Sequence, residues 1–135
     1  MVFKRKTKTS NVLLKILEQS NQPLSIKQLL EKFKAVHLCP NKTTLYRLLD
    51  KLLQHKMVQV LSFKNGISYY ELTPQKEHHH FHCSSCKEIF CLPHTPSSLL
   101  SSNIQEIVPK SQFHVTSHEF KFYGTCSQCA DQGTS

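Results

Sequence analysis

The sequence predicts an α+β fold in two parts, a winged helix-turn-helix followed by a small α/β domain built around four cysteines. Three observations support this prediction. Apolar residues recur at helical spacing in three stretches that precede a β-hairpin signal. Most basic residues lie before residue 70, whereas five of the six cysteines and seven of the nine histidines lie after it. Boundaries are therefore expected at residues 1–73, 74–76 as a hinge, and 77–135.

Three amphipathic helices are predicted in the first half of the chain. The first runs over residues 11–18, where Leu13, Ile16 and Leu17 share one face. Ser25 and Gln28 form a capping-box pattern that begins the second. The third opens at residues 40–41, and its apolar stripe consists of Leu45, Leu48, Leu49, Leu52 and Leu53.

A β-hairpin is predicted after the third helix. Residues 58–63 and 67–72 are rich in β-formers, and Lys64, Asn65 and Gly66 separate them. Asn-Gly is a strong hairpin signal because both residues tolerate positive φ. Three helices followed by a hairpin is the element order of a winged helix-turn-helix, whose third helix enters the major groove of DNA.

The charge of the first half favours a polyanionic partner. Residues 1–70 hold 13 Lys and Arg against 3 Asp and Glu, whereas residues 71–135 hold 4 against 6. Double-stranded DNA is the usual partner of such a domain. The polar stripe of the third helix carries groups that reach phosphates and base edges, although a merely solvated face would look similar. The candidate DNA contacts are Lys42, Thr43, Tyr46, Arg47 and Lys64.

Membrane and enzyme classes find no support in the sequence. No apolar run approaches the roughly 18 residues of a membrane span. The N-terminus is basic but lacks the apolar core of a signal peptide, so we expect a cytoplasmic protein. No His-Glu-x-x-His or deaminase-like pattern occurs, so we expect no enzyme. In a reducing compartment, paired cysteines are more often metal ligands than disulfides.

Two Cys-x-x-Cys pairs in the second half predict a structural Zn²⁺ site. Cys83 with Cys86, and Cys126 with Cys129, each have the spacing of a knuckle that offers two thiolates to a tetrahedral ion. The alternative of a dithiol redox pair lacks the βαβ context of thioredoxin-like proteins. The remaining residues predict a helix over 99–108 and two short strands near 113–115 and 120–123, which complete a dimerisation domain.

A histidine cluster precedes the first cysteine pair. If residues 77–82 form a strand, alternate side chains point to opposite faces. His78, His80 and His82 would then face one way, and Glu77 and His79 the other. Glu71 and Cys91 are placed to close around this cluster, so one strand could serve two metal sites.

These residues together resemble the ferric uptake regulator (Fur) family, which includes zinc-uptake-regulator (Zur)-type members, over almost the whole chain. The resemblance is carried by four stretches, which are Thr44-Leu45-Tyr46-Arg47-Leu48-Leu49, Tyr70-Glu71-Leu72, residues 78–86, and His118 followed by Phe122-Tyr123-Gly124-Thr125-Cys126-Ser127-Gln128-Cys129. It implies a homodimeric, metal-dependent repressor of cytoplasmic type that binds a palindromic DNA operator.

The resemblance also implies roles for matching positions. Tyr46 and Arg47 match the DNA-contacting positions of the recognition helix, and the four paired cysteines match the structural zinc site. A regulatory site is implied at Glu71, His78, His80 and Cys91, where many members place a carboxylate instead of the thiol. His79 and His118 match two positions of an additional site. Glu77 is the third candidate for that site, but it stands where a histidine is usual.

The metal that the protein senses follows from ligand softness. A thiolate beside two imidazoles and a carboxylate favours Zn²⁺ over Fe²⁺. We therefore expect a zinc-responsive repressor of metal homeostasis, with an iron-responsive or peroxide-sensing regulator as the alternative. Two alternatives come from other classes, a zinc-binding protein-interaction module without DNA binding and a metalloenzyme. The basic first half and the absence of a catalytic motif argue against them.

Overall fold

The computed structural model describes residues 7–73, 79–92, 106–115 and 121–131. The chain divides into two compact units, Met1–Pro74 (unit 1) and Gln75–Ser135 (unit 2). Among the described residues, no helix has both the length and the apolar character that a bilayer crossing requires.

Unit 1 contains three helices, each begun by a side-chain cap. α1 spans Lys8–Gln19, α2 spans Ile26–Ala35 and α3 spans Lys42–Gln54. The capping box of Ser25 and Gln28 is confirmed, since the Gln28 N–H donates to the Ser25 hydroxyl at 3.2 Å. Likewise, Asn41 caps α3 and accepts from the Thr44 N–H at 2.8 Å.

The first helix begins earlier than the sequence predicts. Thr7 and Ser10 cap it reciprocally, with the Ser10 N–H donating to the Thr7 hydroxyl at 3.1 Å and the Thr7 N–H donating to the Ser10 hydroxyl at 3.0 Å. Apolar periodicity begins only at Val12 and could not reveal this turn, because a capping residue need not be apolar.

The wing of unit 1 is the hairpin of β2 (Val58–Ser62) and β3 (Ser68–Leu72). In its loop Gly66 adopts a φ of 76°, whereas Asn65 does not share the positive φ that the sequence suggested. The Asn65 side chain instead accepts from the Ile67 N–H at 3.0 Å and donates to the Tyr69 hydroxyl at 2.9 Å. These bonds order the wing tip without a two-residue turn.

A short third strand completes the sheet of unit 1. β1 (Leu24–Ser25) pairs antiparallel with β3, so the strand order is β1-β3-β2. The core lies between this sheet and the three helices. It consists of Leu13, Leu17, Leu24, Ile26, Leu29, Phe33, Leu45, Leu49, Leu52, Val58 and Tyr70. The helices, the wing and this core form the winged helix-turn-helix fold that the sequence predicts.

Unit 2 is built on a sheet whose central strand is β4 (His79–Cys83). β5 (Ile89–Leu92) pairs with it antiparallel, and β6 (Lys121–Gly124) pairs with it in parallel. A short helix, α4 (Ser127–Asp131), follows. The strand expected at 113–115 is wrong, because these residues are exposed and have no strand pairing. Of the helix expected over 99–108, Glu106 and Ile107 are helical and residues 99–105 lie outside the described ranges.

Candidate metal centre and nucleic-acid surface

The four paired cysteines of unit 2 come together in one cluster, with all four sulfur atoms within 4.8 Å of one another. The Sγ atoms of Cys83 and Cys129 are 3.7 Å apart, and those of Cys86 and Cys126 are 3.9 Å apart. A tetrahedral ion with Zn–S bonds of about 2.3 Å would separate its sulfurs by about 3.8 Å. The donor set and its spacing therefore fit a structural Zn²⁺ ion.

The local backbone explains how the first pair reaches this geometry. The chain turns sharply after β4, with the Lys87 N–H donating to the Cys83 carbonyl at 3.0 Å and the Cys83 N–H donating to the Glu88 carbonyl at 3.0 Å. Lys87 adopts a φ of 65° to close this turn. The turn places Cys83 and Cys86 side by side, as the Cys-x-x-Cys spacing predicts.

The second pair is brought to the first by β6, which runs parallel to β4. Gly124 pairs with Cys83, and the Ser84 N–H donates to the Gly124 carbonyl at 2.7 Å. A Cβ at Gly124 would lie 3.1 Å from the Phe81 ring, so the ring would have to shift slightly to admit a side chain here. Cys126 then follows the strand, and α4 carries buried Cys129.

The thiols of this cluster have divergent pKa values without a cation. The backbone N–H groups of Cys126 and Cys86 hold the pKa of the Cys83 thiol down to about 6. The side chain of Cys126 and then burial raise the pKa of the Cys129 thiol to about 12. Adjacent thiolates repel one another, so the four thiols do not ionise together near neutral pH. A divalent cation removes this conflict, because a coordinating thiol is deprotonated.

The histidines of β4 lie on both faces of the sheet. His80 pairs with Cys91, and His82 with Ile89, so His80, His82 and Cys91 share one face. His79 pairs with Leu92 and lies on the other face. This alternation agrees with the expectation from the sequence. All three histidines are nevertheless buried, because β4 is the central strand.

Among the described residues of unit 2, Cys91 and His80 form a second pair of candidate ligands. They are direct cross-strand neighbours, and their ligand atoms lie within 4.8 Å of each other. Cys91 is partly buried. Beside them, His82 stacks edge-on against Tyr123 at 5.7 Å, and burial followed by the Lys87 charge lowers its pKa. An imidazole kept neutral in this way is a competent metal ligand.

The other predicted metal ligands lie in different parts of the chain. Glu77, His78 and His118 lie outside the described residues, and His79 is buried in β4. Glu71 belongs to unit 1, where it lies in β3 with 9% of its surface exposed. The side-chain amide of Gln59 donates to its carboxylate. Sequence reasoning missed Gln59, although counting six residues in each direction from Asn65 pairs it with Glu71.

The predicted DNA contacts of α3 lie on its exposed face. Leu45, Leu49 and Leu52 are buried against the core, whereas Lys42, Thr43 and Arg47 are exposed. Tyr46 leaves 46% of its surface exposed. Lys64 is exposed in the wing loop. Unit 1 therefore presents cationic, hydroxyl and aromatic groups on one helix and on its wing.

Tyr70, in the wing strand β3, interacts electrostatically with two residues of α3. It is buried in β3 and belongs to the core of unit 1. Burial, together with the nearby Tyr46 and Asp50, raises the pKa of its hydroxyl. Tyr46 and Asp50 are thus close enough to the wing strand to interact with it electrostatically.

Comparison with known proteins agrees with the fold. Residues 4–123 match the ferric uptake regulator family. The ferric uptake regulation protein of Legionella pneumophila is 31% identical over 122 residues, covering 87% of this chain and 85% of that protein. That of Bacillus subtilis is 29% identical over 92 residues, covering 67% of this chain and 61% of that protein, so here the match spans less than two thirds of the relative.

A solved structure gives the same result in three dimensions. The ferric uptake regulator of Vibrio cholerae superposes with a TM-score of 0.75 at 26% identity, covering 90% of this chain and 92% of that one. The family match extends over most of the chain, from the first helix to the parallel strand that precedes the second cysteine pair. The chain therefore belongs to the ferric uptake regulator family of metal-responsive, DNA-binding transcriptional regulators.

Proposed function

We propose that this chain is a zinc-responsive repressor of metal homeostasis that acts as a cytoplasmic homodimer on a palindromic operator. The observation that carries the choice of metal is the cross-strand pair of His80 and Cys91. A thiolate beside an imidazole makes a softer ligand set than carboxylates and imidazoles alone, and softness favours Zn²⁺ over Fe²⁺.

The proposed regulatory ligands are Glu71, His78, His80 and Cys91. When bound, the regulatory ion supplies a coordination link among these groups. Glu71 lies in the wing strand of unit 1, and His80 and Cys91 lie in the sheet of unit 2. Residues from both units would then favour one arrangement of the winged helices. A differential affinity of about 3–5 kcal/mol between arrangements would make this an effective switch.

The DNA-contacting side chains have distinct proposed roles. Arg47 and Tyr46 are exposed on α3, where they would reach base edges and phosphates in the major groove. Lys42 and Thr43 lie in the first turn of α3 and would contact phosphates, as would Lys64 in the wing loop. The structural zinc ligands Cys83, Cys86, Cys126 and Cys129 would hold unit 2 folded in both states.

The metal preference is tested by DNA binding. Protein stripped of regulatory metal is titrated with Zn²⁺, Fe²⁺ or Mn²⁺ at fixed salt, using duplexes selected from a random pool in the presence of each metal. We expect zinc to act at the lowest free concentration. If Fe²⁺ promotes DNA binding at the lowest free concentration, the protein is iron-responsive. DNA binding that no metal affects would refute the switch.

A variant pair isolates the role of Cys91. Cys91→Ser should weaken zinc-dependent DNA binding while structural zinc remains at one ion per chain. Cys91→Asp should replace the thiolate with a hard carboxylate ligand and move the metal preference toward Fe²⁺. Cys39→Ser is the matched control, because Cys39 is an exposed thiol of unit 1. If Cys91→Ser instead releases structural zinc or unfolds unit 2, Cys91 has a structural role.

A further inference from the structure

We propose that Gln59 is a positioning residue for the regulatory metal site, because its side-chain amide fixes the carboxylate of Glu71. The Nε2 atom of Gln59 donates to Oε1 of Glu71 at 2.5 Å. This inference rests on the proposed function, in which Glu71 is a metal ligand. It adds a residue that is not itself a ligand, and it concerns contacts that lie entirely within unit 1.

The register of the β2–β3 hairpin places Gln59 and Glu71 opposite each other. Gln59 and Glu71 are direct partners in the β2–β3 ladder, so their side chains project on the same face. Glu71 is 9% exposed and Gln59 is partly buried. A hydrogen bond between two such side chains restricts the rotation of the carboxylate before any ion arrives.

The chemistry of an amide suits this task better than that of a cationic side chain. A carboxylate offers about four lone-pair sites on two oxygens, so one amide donor does not exhaust its capacity as a ligand. Lys or Arg at this position would orient Glu71 equally well, but it would neutralise the carboxylate and repel a divalent cation. Glutamine orients without that repulsion. Partners of this kind commonly contribute 10–100-fold to metal affinity.

The experiment measures metal affinity directly, in full-length protein that keeps its structural zinc. Co²⁺ is titrated into the regulatory site, and the dissociation constant is followed by the visible absorption of the bound ion. Gln59→Met keeps the approximate length of the side chain but removes the amide donor. We expect it to weaken Co²⁺ binding about 10-fold or more. Gln19→Met is the matched control, since Gln19 is exposed at the end of α1.

A second variant tests why the donor is an amide, with the unfolding free energy measured beside the metal affinity. Gln59→Lys keeps a donor for Glu71, so it should retain the unfolding free energy of the wild type while still weakening Co²⁺ binding. Combining Gln59→Met with Glu71→Gln should give no further loss than Glu71→Gln alone, because both changes act through one carboxylate.

The outcomes distinguish this inference from the proposed function. If Glu71→Gln weakens Co²⁺ binding and Gln59→Met stays within twofold of wild type, the positioning role is overturned and the ligand set stands. Full Co²⁺ affinity in Gln59→Lys would overturn the electrostatic reason for an amide, since a cationic donor would then serve the site equally well. If Glu71→Gln leaves the affinity unchanged, Glu71 is not a ligand and the proposed regulatory site fails with it.

Discussion

Replacement of Cys129 by serine should unfold unit 2 and leave unit 1 folded. Among the described residues of unit 2, the buried apolar side chains are Ile89 and the ligands Cys83 and Cys129. Binding of structural zinc is worth about 10–16 kcal/mol at neutral pH in small zinc domains. Entire domains are stable by only about 5–15 kcal/mol. Loss of the ion therefore removes more free energy than such a small core is expected to replace.

Unit 1 should survive this change because its core is separate and lacks cysteine. Its three helices contain 12, 10 and 13 residues, whereas α4 contains 5. Most of the helical far-ultraviolet signal of the described residues should thus remain in Cys129→Ser. Limited trypsin digestion should leave a protected fragment that ends near the boundary of unit 1 and lacks zinc.

The control for this experiment is Cys39→Ser. It removes a thiol of unit 1 that is exposed, so it should keep one structural zinc ion per chain and the protease resistance of both units. Zinc content is measured by elemental analysis after gel filtration. If Cys129→Ser retains stoichiometric zinc and an intact unit 2, the four-cysteine site is wrong. If the helices of unit 1 melt together with unit 2, the energetic separation of the two units is wrong.

Three further predictions concern unit 1. Arg47→Ala should lower DNA affinity and reduce the slope of log affinity against log salt by about 1, with zinc content unchanged. If a binding titration shows an unchanged slope, Arg47 contacts no phosphate. Leu49→Ala, at a fully buried position, should cost about 2–5 kcal/mol in urea unfolding, and a loss below 1 kcal/mol would contradict the assigned core. Burial is the first cause that raises the pKa of Tyr70, so the folded state favours its protonated hydroxyl. This preference contributes to stability below about pH 10. That contribution is lost as pH rises through the raised value, so wild type should lose stability above pH 10, whereas Tyr70→Phe should lose less. Equal losses in urea unfolding between pH 8 and 11 would refute this assignment.

Local features of the sequence predicted unit 1 closely because short-range contacts determine them. The caps at Ser25 and Asn41 depend on side chains that reach the backbone three residues ahead, so spacing alone reveals them. The apolar stripe of α3 likewise depends only on helical periodicity. β1 was not predicted, since two residues carry no periodicity and become a strand only when β3 lies beside them.

In unit 2, local sequence patterns did not predict features that depend on contacts between distant strands. The expected strand at 113–115 does not form, although its apolar residues favoured one. The alternation of histidines along β4 was predicted, but their burial was not, because burial depends on the strands that flank β4 on each side. The Gln59–Glu71 bond similarly needed the register of the hairpin, which loop length determines.

By itself, the sequence determined which residues have the chemistry to bind metal or DNA, since thiols, imidazoles and cations are fixed by composition and their pairing in Cys-x-x-Cys is fixed by spacing. Only the tertiary structure decided that β6 runs parallel to β4 and so brings Cys126 and Cys129 to Cys83 and Cys86. The physical reason is distance along the chain. Residues three apart meet through the backbone turn that joins them, whereas residues forty apart meet only when strand pairing and packing offset the entropy of closing the loop between them.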